Sequence, residues 1–204
     1  MNSSLRRSVS IALAAVVACL VATPAHAHLV QTGFGTFYDG IVHLVLTPTD
    51  LFLVFALGLL AGISGAAASR AVLFGLPGAW LVGEGIGAWS PATGELAWAT
   101  TISFGVAGAL VALNARLSRP ILAALACSAG VLHGYVNGAT MTSAGADALS
   151  LLGAALAVFT LVALTAALVV SREVYWQKIA MRVAGSWIAA VGILMLGWLA
   201  RGQA

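Results

Sequence analysis

The sequence predicts an all-α fold, a polytopic membrane helix bundle of about six transmembrane helices behind a cleaved signal peptide, and three observations predict it. Of 204 residues, 61% are hydrophobic and only 7% are charged, whereas about a quarter of a soluble domain is charged. The apolar residues fall in runs close to the roughly 20 residues a helix needs to cross a bilayer. These runs show no strand-like alternation, and in lipid only helices or closed barrels satisfy the backbone. The few charges fall between the runs and sort by sign. The net charge of +3 therefore reads as a topology signal, with no basic patch for nucleic acid.

The first element is a leader. MNSSLRRSVSIALAAVVACLVATPAHA opens with Arg6 and Arg7, continues through an apolar run and ends on Ala25-His26-Ala27, the order of a secretory signal peptide cleaved after Ala27. Cleavage there makes His28 the new amino terminus. Two alternatives stay open: lipoprotein-type processing at Cys19, whose preceding residues fit a loose lipobox, and an uncleaved first helix. With the leader removed, Cys127 is the one cysteine left of two, so no disulfide within the chain is expected.

A short outer segment follows, and then six apolar runs at about 49–68, 71–89, 96–114, 120–138, 148–170 and 183–200, which with the preceding residues make residues 28–204 a single membrane domain. With the mature amino terminus outside, the inner loops hold Arg70, Arg116, Arg119, Arg172, Lys178 and Arg182, and the outer side holds Arg201. That satisfies the positive-inside rule and places the protein in a bacterial-type inner (cell) membrane. The acids divide the other way, with Asp39, Asp50, Glu95 and Asp147 at the outer surface and Glu173 inside.

At the entry to the first run stands Thr47-Pro48-Thr49-Asp50. Thr47 suits an N-cap, Pro48 the first helical position, and Asp50 a position where a carboxylate reaches back to the cap. Capping accounts for Asp50 but not for His43, seven residues earlier. Pro48 interrupts the register, so a short interfacial helix is expected to fold His43 back toward the helix start. Amphipathic filler is the plainer reading of this histidine.

In the fourth run, His133, Asn137 and Met141 recur every four residues and share one face, while Gly130, Gly134 and Gly138 make an adjacent strip on which another helix can pack closely. A structural polar patch is the alternative, but an ionisable residue inside a membrane helix is a functional candidate by default. Glu84 is the acid deep within a run, in LVGEGIG, and must face the interior. It is expected at the level of His133 and Asp50, with pairing to a hydroxyl or a histidine as the alternative. His28, if it becomes the terminus, offers an amine and an imidazole that chelate one metal ion; a frayed terminus is the alternative. His28, His43, Asp50, Glu84, His133, Asn137 and Met141 all map to the outer half, where an outward-facing cation site is their simplest common purpose.

GIVHLVLTPTDLFLVFALGLLAG and LHGYVNGATM, in that order behind a leader, resemble the opening and the later HG motif of the HupE/UreJ membrane proteins. The resemblance covers essentially the whole mature chain. It implies a six-helix protein of the kind associated with hydrogenase and urease gene clusters and with uptake of nickel or cobalt. The family pattern transfers to His43, Asp50, His133, Gly134 and Gly138. Leu51 follows Asp50 where the family commonly has histidine, and Tyr135 and Asn137 occupy places where its HG motif often carries histidines. With fewer imidazoles, Met141 as a ligand would tilt the site toward copper.

The expectation is thus a permease that takes up a divalent transition-metal ion (nickel or cobalt, with copper as a further case) from the outer compartment. The alternative is a non-transporting membrane accessory or scaffold for maturation of a hydrogenase- or urease-type metalloenzyme. Expected partners are the lipid bilayer, the metal ion and, in the second case, maturation proteins; no prosthetic group is expected. Gly62-Ile63-Ser64-Gly65 has the GxSG form of a membrane serine protease, but Ser64 is expected at the inner end, turns away from His133, which argues against an enzyme.

Overall fold

The computed structural model describes residues 31–90, 96–170 and 175–202. The expected leader, Cys19 and His28 lie outside the described residues, as do Glu95, Arg172 and Glu173. The described residues form seven helices and no strand: α1 Thr36–Leu46, α2 Pro48–Ser64, α3 Ala66–Trp89, α4 Ala97–Ala112, α5 Arg119–Ser143, α6 Ala148–Val170 and α7 Tyr175–Arg201.

Four of these helices, α3, α5, α6 and α7, are long and apolar enough to cross a membrane, and α1 with α2 makes a fifth candidate span bent by 80°. The helix expected at 96–114 is shorter than foreseen, with 16 residues in α4. At 1.5 Å per residue it rises about 24 Å, less than the roughly 30 Å hydrocarbon core. It stops because the chain turns at Asn114, which adopts a left-handed backbone with φ 53°. The last helix starts at Tyr175, well before the expected 183. Its first two turns carry Lys178 and Arg182, so a search for an apolar run misses them.

The 80° bend has a local cause. Pro48 has no N–H to continue α1, and a residue before proline is pushed out of the helical region. Thr47 is accordingly extended, at φ −98° and ψ 97°, and its hydroxyl donates to His43 O at 2.8 Å, closing the last turn of α1. The amino-terminal end of α1 is tied by Asp39, which accepts from the backbone N–H and the hydroxyl of Thr32, both at 2.6 Å. The Thr36 hydroxyl reaches Asp147 at the start of α6, at 3.0 Å.

Glycines set the helix pairs. Gly40 of α1 lies against the Ser150 backbone of α6, and Gly153 of α6 lies against Phe37. Further along α6, Thr165 and Val169 fill the places left open by Gly58 and Gly62 of α2, so α2 and α6 run parallel. The most extensive contact joins α3 and α5, where Gly130, Gly134 and Gly138 meet the backbone at Leu76, Trp80 and Glu84 in steps of four. The strip of small residues expected on the fourth run is therefore a parallel helix seam, closed from the other side by Gly83 and Gly87. Helices α4 and α7 cross antiparallel where Gly105 meets Gly192 and Gly108 meets Ile188.

Helix α2 is the axis of the bundle. Its residues Ala56–Gly62 are all buried, and it touches α1, α3, α4, α5, α6 and α7. Large apolar side chains such as Phe74, Leu164, Ile193 and Leu194 are exposed around the outside, as suits a surface bathed in lipid. Exposed Trp176 and Trp198 stand near the two ends of α7, about 33 Å apart along the axis at the standard rise, the place of interfacial tryptophans. The protein is an integral membrane helix bundle.

Candidate functional site

The first turn of α2 and the last turns of α3 and α5 meet beneath α1. Asp50 sits two residues after Pro48, so the broken helix start aims its carboxylate into the bundle, where it is 4% exposed. Its Oδ1 lies 2.8 Å from His133 Nδ1, and its Oδ2 accepts from Asn137 Nδ2 at 3.0 Å. Asp50 does not cap its own helix: no side-chain cap bond forms at the start of α2. The capping expectation is corrected for a physical reason. A carboxylate buried in a lipid-facing bundle gains more from a buried imidazole and a buried amide than from a helix end that the Thr47 carbonyl already satisfies.

His133 is completely buried. Its second nitrogen, Nε2, lies 2.7 Å from Ser103 Oγ of α4, so the ring links a carboxylate to a hydroxyl. Ser103 also lies 2.8 Å from Thr100 O in its own helix. Its single hydrogen can serve Thr100 or His133, but not both. The indole of Trp80 flanks the His133 ring, with centroids 6.0 Å apart, and donates through Nε1 to Glu84 Oε1 at 3.0 Å.

Glu84 is 1% exposed. It is held against Gly138 by the seam, next to Asn137, and within electrostatic reach of Asp50. Two acceptors here are buried without a hydrogen-bond partner, Glu84 Oε2 and Asn137 Oδ1. His43, on the buried side of α1, feels the charge of Asp50 from above. The structure therefore brings together His43, Asp50, Glu84, His133 and Asn137. Met141 is buried on the same face of α5 as His133 and Asn137, but two turns beyond His133, about 12 Å along the axis. His28 lies outside the described residues.

Ser103 and Trp80 are the site residues that sequence reasoning missed. Thr100, Thr101 and Ser103 form a hydroxyl cluster inside an apolar run, and Trp80 precedes Glu84 by one turn; both signals were available. Among the described residues, no three His, Cys, Asp or Glu side chains converge as a set that could hold a metal ion. Asp50 and His133 satisfy each other instead, and the imidazole nitrogen that would face a cation is occupied by Ser103.

The order Asp50–His133–Ser103 is that of a chain that activates a serine nucleophile. Ser103 lies inside α4, where backbone N–H groups are spent on the helix ladder and none is left to stabilise an oxyanion. Ser64 of the GxSG stretch is at the other end of the bundle, where its Oγ accepts from Leu117 N at 3.2 Å.

Outside the spans, Asp147 starts α6. The Ser150 backbone N–H and hydroxyl, each at 2.9 Å, hold its carboxyl below the usual carboxylate range, helped by the Thr36 hydroxyl.

Compared with known families, residues 15–195 match the HupE / UreJ protein family, which is most of the chain. No curated protein and no solved structure matches. The chain belongs to the HupE/UreJ family.

Proposed function

We propose that the protein is a permease that takes up a divalent transition-metal ion, nickel or cobalt in the first instance, from the outer compartment. The family is associated with nickel or cobalt uptake or with hydrogenase and urease maturation. The observation that carries the permease reading is a carboxylate, an imidazole and two unpartnered oxygen acceptors buried together inside a membrane bundle. Ionisable groups are expensive there and mark ion pathways.

On this reading the arginine-rich end faces the cytoplasm and the acidic end faces outward. Asp39 and Asp147 give the mouth its negative field, and His43 and Asp50 receive the ion as it sheds water. Further in, Ser103 turns its hydrogen to Thr100 O and frees His133 Nε2. Asp50, still bonded to Nδ1, holds the ring in orientation and raises its basicity, as carboxylate partners do for metal-binding histidines. Glu84 Oε2 and Asn137 Oδ1 supply oxygen on the far side. Sparse ligation suits transport, because an ion must leave as readily as it binds. Met141 lies two turns nearer the mouth on the same face of α5, where an entering ion passes it before it reaches His133.

The test is metal content by mass spectrometry in cells expressing the wild type or His133→Ala, across nickel, cobalt, copper and zinc. A rise in one metal with the wild type, falling to the level of cells without the protein in the variant, is expected. Equal metal content in all three cultures would shift the account to the maturation accessory.

A further inference from the structure

The opposite end of the bundle holds a second polar construction that the transport reading does not use. The four described acids, Asp39, Asp50, Glu84 and Asp147, belong to the other end, and the one ion pair among the described residues is His133 with Asp50. Between the ends of α2, α4 and α6 and the start of α7 opens a cavity of about 240 Å³ lined by Ser64, Asn114, Arg116 and Lys178. Its shape follows from two backbone turns. Gly65, at φ 97°, ends α2 with no helical overrun, and Asn114, at φ 53°, turns the chain so that Arg116 reaches the cavity.

Val169 and Met181 form the inner wall of this cavity, and both also line a second, apolar recess of about 120 Å³. That recess is completed by Leu59, Leu168, Trp176 and Ala180. Leu59 lies less than one turn before Gly62 in α2, and Trp176 precedes Lys178 in α7, so the recess lies beside the charged cavity at the same end of the bundle. Gln177 also lines it, and its Oε1 is buried with no hydrogen-bond partner.

We infer that these two joined cavities are a binding site for an acidic phospholipid of the leaflet at the basic end. Arg116 and Lys178 hold the phosphate, and an acyl chain lies in the Leu59–Trp176 recess. Two features favour a lipid over a soluble anion. The cationic cavity and the apolar recess share Val169 and Met181, and Trp176 stands near the start of α7, at the level where tryptophans mark the headgroup region.

The test is native mass spectrometry of the full-length protein after partial delipidation. It is titrated with phosphatidylglycerol or with phosphatidylcholine of the same chains, with and without millimolar inorganic phosphate. The wild type is expected to retain phosphatidylglycerol roughly tenfold better than phosphatidylcholine. Arg116→Gln/Lys178→Gln is expected to remove that preference, and Ala180→Phe, which fills the recess without touching charge, to lower retention of phosphatidylglycerol. Unchanged melting temperatures show that the variants are folded. Equal retention of the two lipids by the wild type, or a preference that survives the double substitution, overturns the site. Displacement of phosphatidylglycerol by inorganic phosphate, with no effect of Ala180→Phe, overturns the lipid in favour of a free anion.

Discussion

The two ends of this bundle carry opposite charges and treat them in opposite ways. At the acidic end, Asp50, Glu84 and His133 are buried and are tied to one another or to Asn137, Ser103 and Trp80. At the basic end, Arg70 and Arg119 are exposed and have no buried partner among the described residues, and Arg182 donates through Nε to the Ala112 carbonyl at the end of α4, at 3.0 Å. Exposed cations at a membrane surface stay solvated and set orientation at little energetic expense. Buried groups in lipid persist only when their partners are in place. The difference separates charge that orients the protein from charge that does work inside it.

The sharpest way to break the comparison is to remove one charge from each end. Asp50→Ala leaves His133 and Asn137 buried without their acceptor, so a loss on the order of 3 kcal/mol is expected, together with loss of metal accumulation. Arg119→Ala should stay within about 0.5 kcal/mol and keep metal accumulation. Thermal unfolding in detergent and cellular metal content read both variants. Equal losses would mean that burial does not distinguish the ends.

The next effect concerns the seam that positions the site. A side chain at Gly134 would run into the Trp80 backbone, whereas one at Gly78, in the same pair of helices, would meet nothing within 4 Å. Gly134→Leu is expected to cost about 1–3 kcal/mol by overpacking and to displace Trp80 from His133. Gly78→Leu should be nearly silent. A melting comparison that found the two alike would remove the close approach of α3 and α5 from the account.

The smallest effect is at the solvated edge of the acidic end. Asp147→Asn should lower the melting temperature by a few degrees or less, since the amide keeps an acceptor for Ser150 but loses the charge. Because the folded carboxyl is depressed, its contribution is complete above the unfolded value of 3.8 and fades as the pH falls from there through the lowered folded value. Wild type and variant should therefore differ at pH 7 and converge in strong acid. Curves that stayed parallel down to pH 2 would contradict that tie.

These residues also show what was legible in the chain. The Thr47-Pro48 break, the short helix ahead of it and the glycine strip on α5 follow from local rules, because proline chemistry and four-residue spacing act within a few turns. The face shared by His133, Asn137 and Met141 was legible for the same reason. The partner of Asp50 was not. Capping is the local answer for an acid just after Pro48, and the bonds that override it come from His133 and Asn137, 83 and 87 residues away. Ser103 was hidden because a hydroxyl in an apolar run reads as ordinary helix filler until its neighbour is known. The early end of α4 depended on the left-handed turn at Asn114, and the early start of α7 on polar turns that hydropathy passes over.

Transport by the buried site is the central claim, and purified protein in sealed vesicles tests it without any maturation partner. Vesicles carrying the wild type, given external nickel or cobalt, should accumulate the ion well above protein-free vesicles. Asp50→Asn, which keeps the shape of the side chain and removes its charge, should return uptake to the protein-free level. Wild-type vesicles that take up no more ion than empty ones, or an Asp50→Asn protein that transports as well as the wild type, would contradict it.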